Sequence, residues 1–129
     1  MRGIVVLILV QLVCGGCHSS RDASSAELAR IYHVGMTRAD VAELHRKNMF
    51  GEEPSKVFTR PADGWATVTE RPYRVDVLLT KFERERGLRV QTCEVRDVPR
   101  GLMGTGIYWD YIWFDEDDRL LGFRRRAVD

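Results

Sequence analysis

The sequence predicts an α+β domain in which two short N-terminal helices pack on one face of a three- to four-stranded antiparallel sheet. Three observations point there. A capped amphipathic segment precedes every strong strand signal, the runs after residue 64 alternate apolar with polar side chains, and the last of them folds back across an acidic turn. The chain has 129 residues, 44% hydrophobic and 30% charged, with 20 Lys+Arg against 19 Asp+Glu. That size allows one core, and that charge balance excludes both a disordered acidic or basic tail and a strongly basic nucleic-acid binder.

Residues 1–16 stand outside the domain. Arg2 is a minimal positive start, Ile4 to Val13 is an apolar run broken only by Gln11, and small residues follow, which together make an export signal. The run is shorter than the roughly 20 residues a membrane-spanning helix needs, and polar His18-Ser19-Ser20-Arg21 comes soon after it. Gly15-Gly16-Cys17 resembles the lipobox of bacterial lipoproteins. The resemblance implies a diacylglyceryl group on the Cys17 thiol and, with no Asp at position 18, an outer-membrane location facing the periplasm. Acyl chains contribute about 0.8 kcal/mol per buried methylene, so such a cysteine holds a protein on a membrane without any apolar helix. Residues 17–26 then form the lipidated cysteine and a small, polar, flexible tether, and 27–129 the domain.

Within the domain, Leu28, Ile31 and Tyr32 give a short helix over Ala26 to Tyr32. Thr37 is placed to cap a second helix that begins at Arg38, with Asp40 in its first turn and Met36 reaching over Val41. Val41, Leu44 and His45 share its inner face, and it ends by Asn48 or Met49. Gly51 to Gly64 reads as a loop with a short strand at Lys56 to Thr59, and Trp65 to Thr69 as a further strand. Tyr73, Val75, Val77 and Leu79 alternate with Arg74, Asp76 and Leu78, which predicts a strand over 73–82. Leu88, Val90 and Thr92 alternate again, so 73–82 and 88–96 pair as a hairpin about the charged turn 83–87. Asp97 to Gly106 is a Gly-rich loop without the Lys-Ser/Thr or the following helix of a phosphate cradle. Ile107 to Phe114 and Arg119 to Arg126 form the closing hairpin.

Few residues suggest chemistry. With Cys17 acylated, Cys93 has no disulfide partner and no recognisable base, and reads as a buried, inert thiol. His45 reads as a packed histidine, since no second metal ligand is suitably spaced. The acidic turn Asp115 to Asp118 lacks the Gly and distal Glu of a calcium loop. Arg124 and Arg126 share a strand face, where they touch phospholipid headgroups or pair with the acidic turn and neighbouring strands, and the overall neutrality favours pairing. Trp109, Tyr111 and Trp113 fall on one face of a strand and Tyr108, Ile112 and Phe114 on the other. If exposed, Trp109, Tyr111 and Trp113 are the candidate partner-binding surface, for a protein or a glycan. The competing reading covers both faces, with helices on one side and long Arg side chains or loops on the other. No catalytic residue, metal-ligand set or cofactor motif is readable.

Taken together, the lipobox at Cys17, Val34-Gly35-Met36-Thr37-Arg38-Ala39-Asp40-Val41 followed by Leu44, and Trp113-Phe114-Asp115 to Arg119-Leu120 resemble the BamE/SmpA/OmlA-like small lipoproteins. The resemblance implies two helices against a three-stranded antiparallel sheet and a non-enzymatic role. The type member is a scaffold subunit of the outer-membrane β-barrel assembly machine. The expectation is therefore a lipid-anchored envelope protein that binds or scaffolds a protein partner. The alternative is an envelope enzyme or glycan-binding module using the aromatic strand 107–114.

Overall fold

In the computed structural model, which describes residues 28–100 and 106–128, the first regular element is the one the sequence marks most clearly. Helix α1 (Arg38–Lys47) opens on a capping box: the Thr37 hydroxyl accepts from the Asp40 N–H at 3.1 Å, and the Asp40 carboxylate accepts from the Thr37 N–H at 3.1 Å. It closes at Asn48, as expected, and Met36 packs in the same cluster as Val41. Of the preceding short helix, the described residues show a turn in which the Ile31 and Tyr32 N–H groups donate to the Leu28 carbonyl. Residues 1–16, Cys17 and the tether 17–26 lie outside the described residues.

Strand β1 (Lys56–Thr59) forms where expected. The next two segments do not. Trp65–Thr67 is a single 3-10 turn rather than a strand, held by the Trp65 indole N–H donating to the Val90 carbonyl at 2.9 Å and the Thr67 hydroxyl donating to the Gly64 carbonyl at 2.8 Å. Residues 73–82 are not a hairpin strand but most of helix α2 (Val75–Arg86). The same apolar residues satisfy both periods. Val75, Leu78, Leu79 and Phe82 recur at i, i+3, i+4 and i+7 and all pack on one cluster, while Val77, which a strand would have buried beside Val75, is 56% exposed. The charged 83–86 segment extends the helix instead of turning the chain. Gly87 stops it in the left-handed conformation (φ 67°), its N–H donating to the Glu83 carbonyl at 2.8 Å.

The remaining strands are β2 (Thr92–Pro99), β3 (Ile107–Phe114) and β4 (Leu120–Val128). All pairings are antiparallel in the order β1-β2-β3-β4, and the closing hairpin stands as predicted. One cross-strand row runs Phe58, Cys93, Trp113, Gly122. Only glycine fits at its end, because a Cβ on Gly122 would sit 2.6 Å from the Trp113 indole.

The helices lie on opposite faces of the sheet, not on one. α2 covers Cys93, Val95, Tyr111 and Trp113, together with Phe58, Trp65 and Val90. α1 and the Leu28–Tyr32 turn cover Ile112, Phe114 and Leu120. The reason is β3, which is apolar on both sides of its pleat and so requires cover on both. The sheet also has four strands where the lipoprotein resemblance implies three. Two blocks that carry that resemblance nevertheless meet. The Gly35 N–H donates to the Leu120 carbonyl at 2.9 Å, the Leu120 N–H to the Met36 carbonyl at 2.7 Å, and Thr37 bridges Arg119.

The helical register of α2 separates two neighbouring valines that a strand would treat alike. Val75→Asp is expected to abolish cooperative folding by placing a carboxylate in the core, while Val77→Asp changes stability by less than about 0.5 kcal/mol. Urea unfolding followed by circular dichroism measures both. Equal losses would contradict the helix.

Candidate functional site: a basic groove beside the aromatic strand

Trp109, Tyr111 and Trp113 share one face of β3, as alternation requires, but that face lies beneath α2. Trp113 is 4% exposed and meets Phe82 edge-on at 5.2 Å. Tyr111 is 2% exposed and its hydroxyl donates to the Tyr73 carbonyl at 2.8 Å. Burial pushes the Tyr111 phenol up to about 12 against the opposing pull of Arg126. Tyr111 and Trp113 are therefore core residues and not part of a partner-binding surface. The physical reason is α2, a helix that covers this face where the alternation of 73–82 predicts a hairpin strand. Trp109 alone of the three is half-buried, stacked on Tyr73 at 4.6 Å. Arg126 lies over Trp109 and Tyr111, 5.2 and 5.8 Å from their ring centres, and donates to the Pro72 carbonyl.

What remains open on this face is a groove of about 250 Å³ between α2 and β4. Arg74 and Lys81, two turns apart, come from the helix side, and Arg124 and Arg126, alternate residues of β4, from the sheet side. Tyr73 and Tyr111 form the floor and Val77 and Leu78 the wall. Arg74 holds φ at 56°, an uncommon conformation for a side chain other than glycine, and no side chain caps the helix it precedes. Asp76 in the first turn offsets the positive end of α2, so the charge of the groove comes from its four cations. Among the described residues no carboxylate comes within ion-pair distance of Arg74, Lys81, Arg124 or Arg126. The pairing expected of Arg124 and Arg126 falls instead to the residue between them, Arg125. The arrangement presents positive charge over an aromatic floor, which is the chemistry of holding an anionic group.

On the opposite face lies a buried polar cluster that sequence reasoning missed. Asp110, 1% exposed at the centre of β3, accepts from Arg125 Nε at 2.6 Å and Nη2 at 2.9 Å, and from the Tyr32 hydroxyl. The Tyr32 oxygen is also 2.8 Å from His45 Nε2. Because the single hydroxyl proton goes to Asp110, His45 carries its proton on Nε2 and donates to Tyr32. His45 Nδ1 is then a buried acceptor with no partner among the described residues. Next to this group Glu94 sits between Arg96 at 2.9 Å and Arg38 at 3.1 Å. Burial pushes His45 down to about 4, aided by the Arg96 and Arg125 charges and opposed by Asp110, and burial with the Asp110 charge holds the Tyr32 phenol far above its usual range. The signal available in the sequence was Asp110 itself, a carboxylate at a core position of an aromatic strand.

Two of the other candidates take their expected places in the core. His45 and Cys93 are buried, and burial raises the Cys93 thiol. Asp115 uses its carboxylate on the Asp117 and Arg119 N–H groups of its own turn. Among the described residues no group of three or more His, Cys, Asp or Glu side chains converges as a metal site would require. Cys17 lies outside the described residues.

Two measurements check the buried cluster. His45 binds a proton less readily in the fold than in the unfolded chain, so the unfolded state takes up more protons between pH 6.5 and about 4. Stability attributable to His45 is therefore present above that window and lost as pH falls through it, on the order of 3 kcal/mol. His45→Gln, neutral throughout, is expected to flatten the difference in urea midpoint between pH 7 and pH 5. Asp110→Ala strands the Arg125 charge and is expected to cost about 3 kcal/mol or more in the same assay.

Comparison with known proteins returns no matching family model, no matching curated protein and no matching solved structure.

Proposed function

We propose that this chain is a lipid-anchored cell-envelope protein whose folded domain binds a protein partner without catalysis, in the manner of the BamE-like lipoproteins it resembles, on the periplasmic side of the outer membrane. The observation that carries the reading is Gly15-Gly16-Cys17 at the end of a short apolar run, followed by a small, polar tether. Among the described residues no helix is long and apolar enough to cross a membrane. Contact between the Gly35-Met36-Thr37 segment and the closing hairpin supports treating those motifs as one unit. An open aromatic strip, on which the glycan-binding alternative rests, is not offered by Tyr111 and Trp113, both buried.

Cys17→Ala tests the anchor. In cell fractionation the unmodified chain is expected in the membrane fraction and the variant in the soluble fraction, and a variant that stays with the membrane defeats the anchoring. Photo-crosslinking residues at exposed Val34, Met49 and Val77 test the partner in the same cells. A discrete protein adduct is expected from at least one position, and adducts from none would defeat the binding role.

A further inference from the structure

We propose that the groove between α2 and β4 is a binding site for a small linear dianion, a molecule with a carboxylate or phosphoryl group at each end and an uncharged middle. The proposal is independent of the protein-binding reading above and adds a ligand site to it. The fold sorts the four cations of the groove into two pairs. Tyr73, just before α2, stacks on Trp109, and Phe82, further along the helix, meets Trp113, so α2 runs with β3 and against β4. Arg126 is the β4 partner of Trp109, and Arg124 that of Tyr111. Arg74 therefore faces Arg126 at one end of the groove, and Lys81 faces Arg124 at the other. Two residues of strand set the pairs about 7 Å apart on the sheet side, and two turns of helix set them about 10 Å apart on the other.

No carboxylate among the described residues lies within ion-pair distance of any of the four, so each pair is left to an anion from outside. Between the pairs the lining is uncharged. Val77 and Leu78 form the wall there, and Tyr111 on the floor already gives its hydroxyl proton to the Tyr73 carbonyl. Arg126 donates through Nη2 to the Pro72 carbonyl and lies over the Trp109 and Tyr111 rings, which holds its guanidinium in place and leaves further N–H groups for a ligand. At about 250 Å³ the groove falls just below the roughly 300–1,000 Å³ of clefts that take drug-sized ligands, so its occupant is a smaller molecule. Shape disfavours a lipid surface. The cations face one another across a hollow, whereas a bilayer offers a plane of headgroups to a flat or convex patch.

The test is an NMR titration of the full chain in neutral detergent micelles with suberate, a dicarboxylate long enough to reach both pairs, and with an alkanediol bisphosphate of matching length. At least one of the two is expected to shift the amide signals of 73–81 and 124–126, and the tighter of them identifies the end group the site takes. It is expected to bind about tenfold more tightly than the analogue of the same length with one end neutral, which for suberate is its monoamide. Lys81→Gln with Arg124→Gln, both at exposed positions, is expected to bring the dianion down to the affinity of that analogue with an unchanged urea midpoint. Arg74→Asn removes charge at the other end, in a residue type that accepts the left-handed backbone there, and is expected to weaken binding as well. Lys47→Gln on α1 is expected to leave it intact. A dianion that binds no better than its one-ended analogue, or loss confined to one end of the groove, would overturn the two-ended site. So would a loss with Lys47→Gln equal to that in the groove variants, or the failure of both dianions to bind. Recruitment of the chain to phosphatidylcholine vesicles containing phosphatidylglycerol, lost with Lys81→Gln and Arg124→Gln while neither dianion moves a signal, would give the groove to a lipid surface instead.

Discussion

Strand β3 is apolar on both sides of its pleat, and the rest of the fold is arranged to cover it. Tyr111 and Trp113 point one way, Ile112 and Phe114 the other, and each side needs a layer to exclude water. α2 with the Trp65 turn supplies one layer, and α1 with the Leu28–Tyr32 turn supplies the other. Each large side chain buried this way contributes roughly 1.5–3 kcal/mol, so neither layer is dispensable in a domain this small. The position of Gly122 follows from the same strand, since the Trp113 indole occupies the space its side chain would need.

Asp110 is the polar exception on the α1 side of that strand. It lies opposite Arg125, but Arg124 and Arg126 flank that position, so a slip of one residue would still set a guanidinium against Asp110 and it is Leu120 and Phe123, packed under α1, that the slip would displace. Buried ion pairs add little net stability compared with apolar packing, because two charges must leave water. What the group does is join layers: Asp110 accepts from Arg125 of β4 and from Tyr32, and Tyr32 meets His45 of α1. The cost appears at His45, whose Nδ1 is buried without a partner among the described residues. A Tyr, His, Asp and Arg that meet in this way resemble the contents of an acid–base site, yet they face each other beneath a helix.

The groove is the other consequence of the same arrangement. Arg125 turns inward to meet Asp110, so alternation turns Arg124 and Arg126 toward α2. The helix brings Arg74 and Lys81 to meet them, and no carboxylate among the described residues lies within ion-pair distance of the four. A chain whose overall charge is close to zero thus carries a local concentration of positive charge that its composition conceals.

By itself the sequence determined the local events. Thr37 and Asp40 set the start of α1 because both halves of a capping box lie within one turn. Lys56 to Thr59 and the 107–114 and 119–126 hairpin were legible because β-branched and aromatic runs bounded by turn residues have few other solutions. The apolar pattern of 73–82 was not decisive. Val75 and Leu79 fit a two-residue and a helical period equally, and only packing against Cys93, Val95 and Trp113, with Gly87 closing the helix, chose between them. That choice moved Tyr111 and Trp113 from a supposed surface into the core and created the groove. The partners of Asp110 and the meeting of Arg74 with Arg124 were likewise decided by tertiary structure, because they join side chains far apart in the chain through sheet register and helix placement that no local pattern encodes.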